Sequence, residues 1–194
     1  MESQWLIDGF WKTPNNWEQL LILSIVLSKE TILFPFCYIL CDSKSEAFYN
    51  EVLQNVMSLL KQQISPKFLE NLIVNCDFEQ GLINSVQNII KPKRIIGCFF
   101  HFSQCLWRRA NELSLRKQDK KLMTMQLIMS CPFLCFVPKD KIWPLWSQIK
   151  ENFSKFSFFD EFFSYFEKNC LMLKYSQRMN CKHLFILKNL LNKY

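Results

Sequence analysis

Two sets of side chains in this sequence stand at spacings that suit chemistry. The acids Asp8, Asp77 and Glu79 close short apolar runs, and Cys98 and His101 form a Cys-x-x-His step. Carboxylates brought together from two strand ends suit phosphoryl transfer. Hard cations such as Mg²⁺ or Mn²⁺ take oxygen ligands, and two such ions can activate an attacking hydroxyl and stabilise the leaving oxygen. An isolated aspartate is more often a turn former or helix N-cap. The chemistry therefore depends on the fold bringing Asp8 and Asp77 together. Cys98 and His101 are half of a zinc site. The other cysteines and His183 are scattered without a second such pair, so zinc has no full ligand set. The alternative for Cys98 and His101 is a buried or hydrogen-bonded pair.

The elements that must position these residues follow from the apolar pattern. Trp5 to Trp11 reads as a strand carrying Asp8, and Thr13-Pro14-Asn15-Asn16 as a turn. Leu20 to Leu27 and Ile32 to Leu40 read as two further strands of an antiparallel meander, with Lys29-Glu30 at the hairpin tip. From Ser45 the period changes. Phe48, Val52, Val56, Leu59 and Leu60 give a helix with Ser45 or Ser43 as N-cap, closed by Pro66. Leu72-Ile73-Val74 is a buried strand that meets Asp77-Phe78-Glu79. If the strand continues, its period of two puts both carboxylates on one face and the phenyl ring on the other. Glu79 is then an auxiliary acid, or alternatively a cap for the helix that starts at Gln80. Leu82, Val86, Ile89 and Ile90 make that helix, which ends at Lys91-Pro92. Arg94 to Phe100 reads as a last strand delivering His101, followed by a basic helix from Gln104 to Leu113.

These motifs carry a family resemblance. Cys76-Asp77-Phe78-Glu79 followed by Gly97-Cys98-Phe99-Phe100-His101-Phe102-Ser103-Gln104 and Arg108-Arg109 resembles the core of Mutator-like element (MULE) transposases, with their Asp-Phe-Glu strand end and G-C-x-F-H-x-x-Q-x-x-x-R pattern. Asp8-Gly9-Phe10-Trp11-Lys12 looks like the family's D-G-T-F-K without its threonine, and Pro35, Tyr38 and Leu40 look like its P-x-x-Y-x-L. The resemblance runs from about Trp5 to about Tyr165. The element order β-β-β-α-β-α-β is that of an RNase H-like fold, an α/β fold with a mixed sheet, here followed by a helical C-terminal region. In it the parallel crossover lays the fourth strand beside the first. The expected division is a transposase core over 1–113 and a helical, incomplete region over 114–194.

The resemblance assigns Asp8 and Asp77 the metal-ligand roles and puts Cys98 and His101 in the catalytic neighbourhood. Family members complete a triad with a glutamate on a later helix. The comparable place, Arg178 to Leu184, is followed by no acid before Tyr194. Either Glu151, Glu161 or Glu167 serves, or the third ligand is missing. The implied activity is metal-dependent cleavage and joining of double-stranded DNA, by a protein that forms a homo-oligomer on DNA. The alternative is an inactive or domesticated remnant that binds DNA or protein. An RNase H-like nuclease is a third reading.

Composition agrees with an anionic partner. Lysine and arginine outnumber acids 24 to 17, for a formal charge of +7. Lys93, Arg94, Arg108, Arg109, Lys120 and Lys121 concentrate positive charge after the second acidic motif, where phosphate contacts would position DNA without reading it. A solvated helix face is the other reading of this cluster. Trp107 reads as core or as a platform for a flipped base. The N-terminus reads as fold and not as a secretion signal, so the nine cysteines are expected to be reduced, mostly buried thiols in a nuclear protein. The longest apolar stretches fall short of the roughly 20 residues that span a bilayer, so no membrane anchor is expected. The stripe Phe153, Phe156, Phe159, Phe163 and Phe166 is a packing face, and the tail from Leu171 to Tyr194 is apolar and periodic.

Overall fold

The computed structural model describes residues 3–10, 13, 16–27, 32–117 and 120–171. Trp11 and Lys12, Pro14 and Asn15 of the turn, the Lys29-Glu30 tip, and the tail beyond Leu171 with its Arg178–Leu184 stretch lie outside the described residues. The described chain falls into two compact units that divide between Cys98 and Phe99.

The first unit is a five-stranded mixed sheet with helices. Its strands are β1 (Ser3–Phe10), β2 (Gln19–Leu27), β3 (Ile32–Cys41), β4 (Leu72–Cys76) and β5 (Arg94–Gly97), in the order β3-β2-β1-β4-β5. The meander pairs antiparallel, whereas β1–β4 and β4–β5 pair parallel. The parallel pairs require crossovers, and helices α1 (Glu46–Leu60) and α3 (Gln80–Ser85) lie within them. Register skips Phe36, because Leu23 faces Cys37 and Ser24 faces Pro35. This bulge lets Phe36 reach Trp5, ring centroids 5.1 Å apart. Pro35 sits on an edge strand, where a missing N–H is tolerated.

Alternation sorts the side chains. Trp5, Ile7, Leu21, Leu23, Leu72, Val74 and Cys76 share one face and bury against Tyr49, Leu53, Val56, Leu82, Ile83 and Val86. Ser45 is the N-cap of α1, its hydroxyl accepting from the Phe48 N–H at 3.2 Å. The buried stripe of α1 is Tyr49, Leu53 and Val56, whereas Leu59 is exposed. The sequence stripe through Phe48, Val52 and Leu59 is thus rotated by about one residue, because Tyr49 buries its ring.

Pro66 does not close α1. It opens a separate one-turn helix, α2 (Pro66–Glu70), where a missing N–H costs nothing at the first helical position. The helix over α3 runs on as a π-turn through Ile90 and ends at Lys91, in left-handed conformation before Pro92, as the proline predicts. β5 is shorter than expected. It stops at Gly97, and Phe99 already begins a helix, so His101 stands in a first helical turn and not at a strand tip.

The second unit is helical: α4 (Phe99–Glu112), α5 (Lys121–Phe133), α6 (Lys139–Phe153) and α7 (Asp160–Phe166). Pro132 lies inside the last turn of α5, and Pro138 caps α6. The phenylalanine stripe is not one helix. α6 ends at Phe153, a 3₁₀ turn covers Ser157–Phe159, and α7 carries Phe162, Phe163 and Phe166. These last three and Phe159 are buried, with the Trp146 and Phe166 rings tilted against each other, centroids 4.6 Å apart. Cys41, Cys76, Cys131 and Cys170 are buried free thiols, and burial raises Cys41, Cys131 and Cys170 above the ordinary thiol range. Among the described residues no helix is long and apolar enough to cross a membrane.

Candidate active site

The parallel register of β1 and β4 runs from Ser3↔Leu72 to Ile7↔Cys76. The next position in each chain is an aspartate. Both aspartates therefore lie just past the last paired position, at the same end of the β1–β4 ladder. Ile7 and Cys76 point into the core, so in β1 alternation turns Asp8 to the other face, where it is exposed. This is the carboxyl end of both parallel strands, the usual place for a site in an open α/β sheet.

β4 ends at Cys76, which corrects the expectation for the following residues. Asp77, Phe78 and Glu79 form a turn into α3, so Asp77 and Glu79 do not share a strand face. Asp77 Oδ1 accepts the Phe78 N–H at 2.6 Å, folding the turn onto itself. Phe78 leans over β5, where its Cζ lies 2.3 Å from the place a Cβ on Gly97 would occupy. Glycine at 97 is what lets the ring close over the strand. Glu79 occupies the N-cap position of α3 but makes no capping bond.

The Glu79 carboxylate points instead to Tyr49. The Tyr49 hydroxyl donates to Glu79 Oε2 at 3.1 Å and accepts from Gln19 Nε2. Gln19 and Tyr49 are buried. Gln19 Oε1 lies 2.6 Å from where a Cβ on Gly9 would be, so Gly9 makes room for the carboxamide. Burial pushes the Glu79 carboxyl above the usual range, helped by the charges of Asp77 and Glu18, while the Tyr49 hydrogen bond and Lys44 pull it down. Burial first, then Glu79, pushes the Tyr49 phenol up, which keeps it a neutral donor. Tyr49 and Gln19 went unremarked in the sequence. Only the spacing of Tyr49 to Leu53 and Val56 hinted at its inward face.

The remaining candidates are placed as follows. Cys98 is half-buried, its N–H donating to the Cys76 carbonyl at 2.9 Å, and His101 is buried in α4. No group of three or more His, Cys, Asp or Glu residues that could hold a metal occurs among the described residues. Glu161 pairs with Arg109 at 2.7 Å, and Arg109 also reaches Glu112. Glu167 Oε1 accepts from Trp146 Nε1 and Lys150 Nζ, each at 2.8 Å. Glu151 is exposed near the end of α6, and its carboxylate has no hydrogen bond or ion pair among the described residues.

Among the basic residues, Lys93, Arg108 and Lys121 are exposed, whereas Arg94, Arg109 and Lys120 are partly buried. Arg116 lies over the half-buried Trp107 ring at 5.4 Å, and Lys120 over Phe158 at 4.4 Å.

The first unit is a mixed α/β sheet with Asp8 and Asp77 just past the last β1–β4 pair, and the second unit is helical. Residues 4–105 match the family model of the MULE transposase domain, more than half of the chain, and the chain belongs to that family. No curated protein and no solved structure matches it.

Proposed function

We propose that this chain is the catalytic portion of a MULE-type DNA transposase of the RNase H-like group, cleaving and joining double-stranded DNA in the nucleus. The observation that supports this is the β1–β4 register, whose last pair, Ile7↔Cys76, immediately precedes Asp8 and Asp77 in a member of a transposase family. On this reading residues 1–113 are the core and 114–194 a helical insertion.

Asp8 and Asp77 suit Mg²⁺ or Mn²⁺, since both offer carboxylate oxygens from adjacent backbones at one rim. Bound there, the cation supplies Lewis acidity and charge neutralisation at the phosphate. The two aspartates would hold it, and water or a 3′ hydroxyl would attack phosphorus as the bond to the leaving oxygen breaks. A third acid, where the chain supplies one, comes from Glu151, Glu161 or Glu167, and among the described residues Glu151 is the one whose carboxylate is not engaged by another side chain. Lys93, Arg108, Lys120 and Lys121 provide phosphate contacts, and the protein works as a homo-oligomer on DNA ends.

The test is cleavage of duplex DNA carrying the element's terminal inverted repeats, by the full chain with Mg²⁺ or Mn²⁺. Wild type should nick and join strands, and Asp77→Ala should not. Equal cleavage by Asp77→Ala would overturn the assignment.

A further inference from the structure

Behind the acidic rim, a buried chain of polar groups joins three elements: Gln19 at the start of β2, Tyr49 on α1 and Glu79 on the turn after β4. Buried polar side chains persist when satisfied, and a satisfied network holds its members at one geometry. The chain has a clear load to bear. The Asp77–Glu79 turn has left the β ladder, so its position is set by what its side chains touch. Phe78 is placed by the open space over Gly97, and Glu79 by the Tyr49 hydroxyl. Asp77 lies between the last residue of the ladder, Cys76, and these two anchors.

The geometry points to Tyr49 as a positioning residue: held by Gln19, its hydroxyl fixes Glu79 and so sets the Asp77 carboxylate against Asp8. This inference rests on the metal-binding reading of the two aspartates. Tyr49 itself touches neither substrate nor cation. Its place is fixed by burial at 0% exposure between sheet and helix, and by Gly9, whose missing side chain admits the Gln19 carboxamide. Partners that orient metal-holding carboxylates typically change metal affinity on the order of 10- to 100-fold when removed.

The experiment uses the full chain with Tyr49→Phe, which keeps the ring and removes the hydroxyl, and Glu79→Gln, whose side-chain carbonyl still accepts from Tyr49. Two measurements are made. Amide hydrogen exchange is followed at Phe78, whose N–H donates to Asp77 Oδ1, with the Leu21 and Leu23 amides of β2 as references. Mn²⁺ binding is followed by electron paramagnetic resonance. Tyr49→Phe should speed Phe78 exchange several-fold relative to the references and weaken Mn²⁺ binding about tenfold, while Glu79→Gln stays close to wild type in exchange. Unchanged Phe78 exchange in Tyr49→Phe would overturn the positioning role, as would equal acceleration of all three amides, which marks general loosening. If Phe78 exchange responds as expected but wild type binds no Mn²⁺, the positioning of the turn stands and the metal reading fails.

Discussion

The ring of Phe78 occupies the space that a side chain on Gly97 would need, with Cζ and Cε1 at 2.3 and 2.4 Å from the ideal Cβ position. In this chain Asp77-Phe78-Glu79 and Gly97-Cys98 are therefore two halves of one contact. The glycine belongs to the phenylalanine, and the phenylalanine holds the turn that carries Asp77.

Gly97→Ala should expel the Phe78 ring from its seat. Two ring atoms stand well inside contact distance and the ring moves as one body, so overpacking should cost about 1–3 kcal/mol of stability. Chemical denaturation checks this. Gly97→Ala combined with Phe78→Leu should cost less than the sum of the two single changes, because the pair shares one space.

Gly9→Ala puts a methyl group against Gln19 Oε1. The carboxamide is the far end of a flexible side chain and can swing away, but only by giving up its bond to Tyr49. The expected cost is about 1 to 2 kcal/mol, the value of leaving a buried polar group poorly paired. Gly9→Ala should also accelerate exchange at Phe78, which a change confined to β1 would not do.

Glu167 gives a pH signature. Burial pushes its carboxyl up, but the hydrogen bonds from Lys150 and Trp146 and the Lys150 charge outweigh burial and hold it below the usual glutamate range. A depressed folded-state pKa means that the unfolded chain binds the proton more readily. The contribution is thus present above the ordinary glutamate value and lost as pH falls through the folded one. Glu167→Gln should lower stability near pH 7 by about 1–2 kcal/mol, as a charge-assisted bond to Lys150 is lost. The difference from wild type should shrink below about pH 4. Urea unfolding at a series of pH values measures both.

The three candidate third acids should separate by variant. Glu161→Gln breaks an exposed, solvent-screened pair with Arg109, and Glu167→Gln acts through Trp146 and Lys150. Neither should change strand cleavage beyond its effect on folding. Glu151→Gln should abolish cleavage with no loss of stability. Cleavage by Glu151→Gln at the wild-type rate removes this residue from the site.

DNA affinity should divide the basic residues. Arg108→Ala and Lys121→Ala, both exposed, should weaken binding alike on all sequences and each reduce the slope of log K against log salt by about 1. Arg109 is held by Glu112 and Glu161 with its guanidinium 5.2 Å from the Tyr165 ring centroid. Arg109→Ala should lower stability and leave the salt slope unchanged. Fluorescence anisotropy across a salt series distinguishes the two outcomes.

The strands of the meander, the helix after Ser45, the end of the next helix before Pro92, and the parallel return of β4 beside β1 were all legible in the sequence. Periods of two and of 3.6, a serine cap and a proline are local signals, and a parallel crossover has few ways to return. Strand ends were less legible. Arg94 to Phe100 is β-prone throughout, yet the strand stops at Gly97, because propensity at Phe99 and Phe100 yields to the start of α4.

By itself, then, the chain's order of residues determined the strand order that brings β4 beside β1 and the family to which those motifs belong. Only the tertiary structure decided that Glu79 turns from Asp77 to Tyr49, that Phe78 covers Gly97, and that Glu161 and Glu167 are engaged by basic or indole partners. Those contacts join residues about 20 to 50 positions apart, and no local period encodes which side chain fills a space that another residue leaves open.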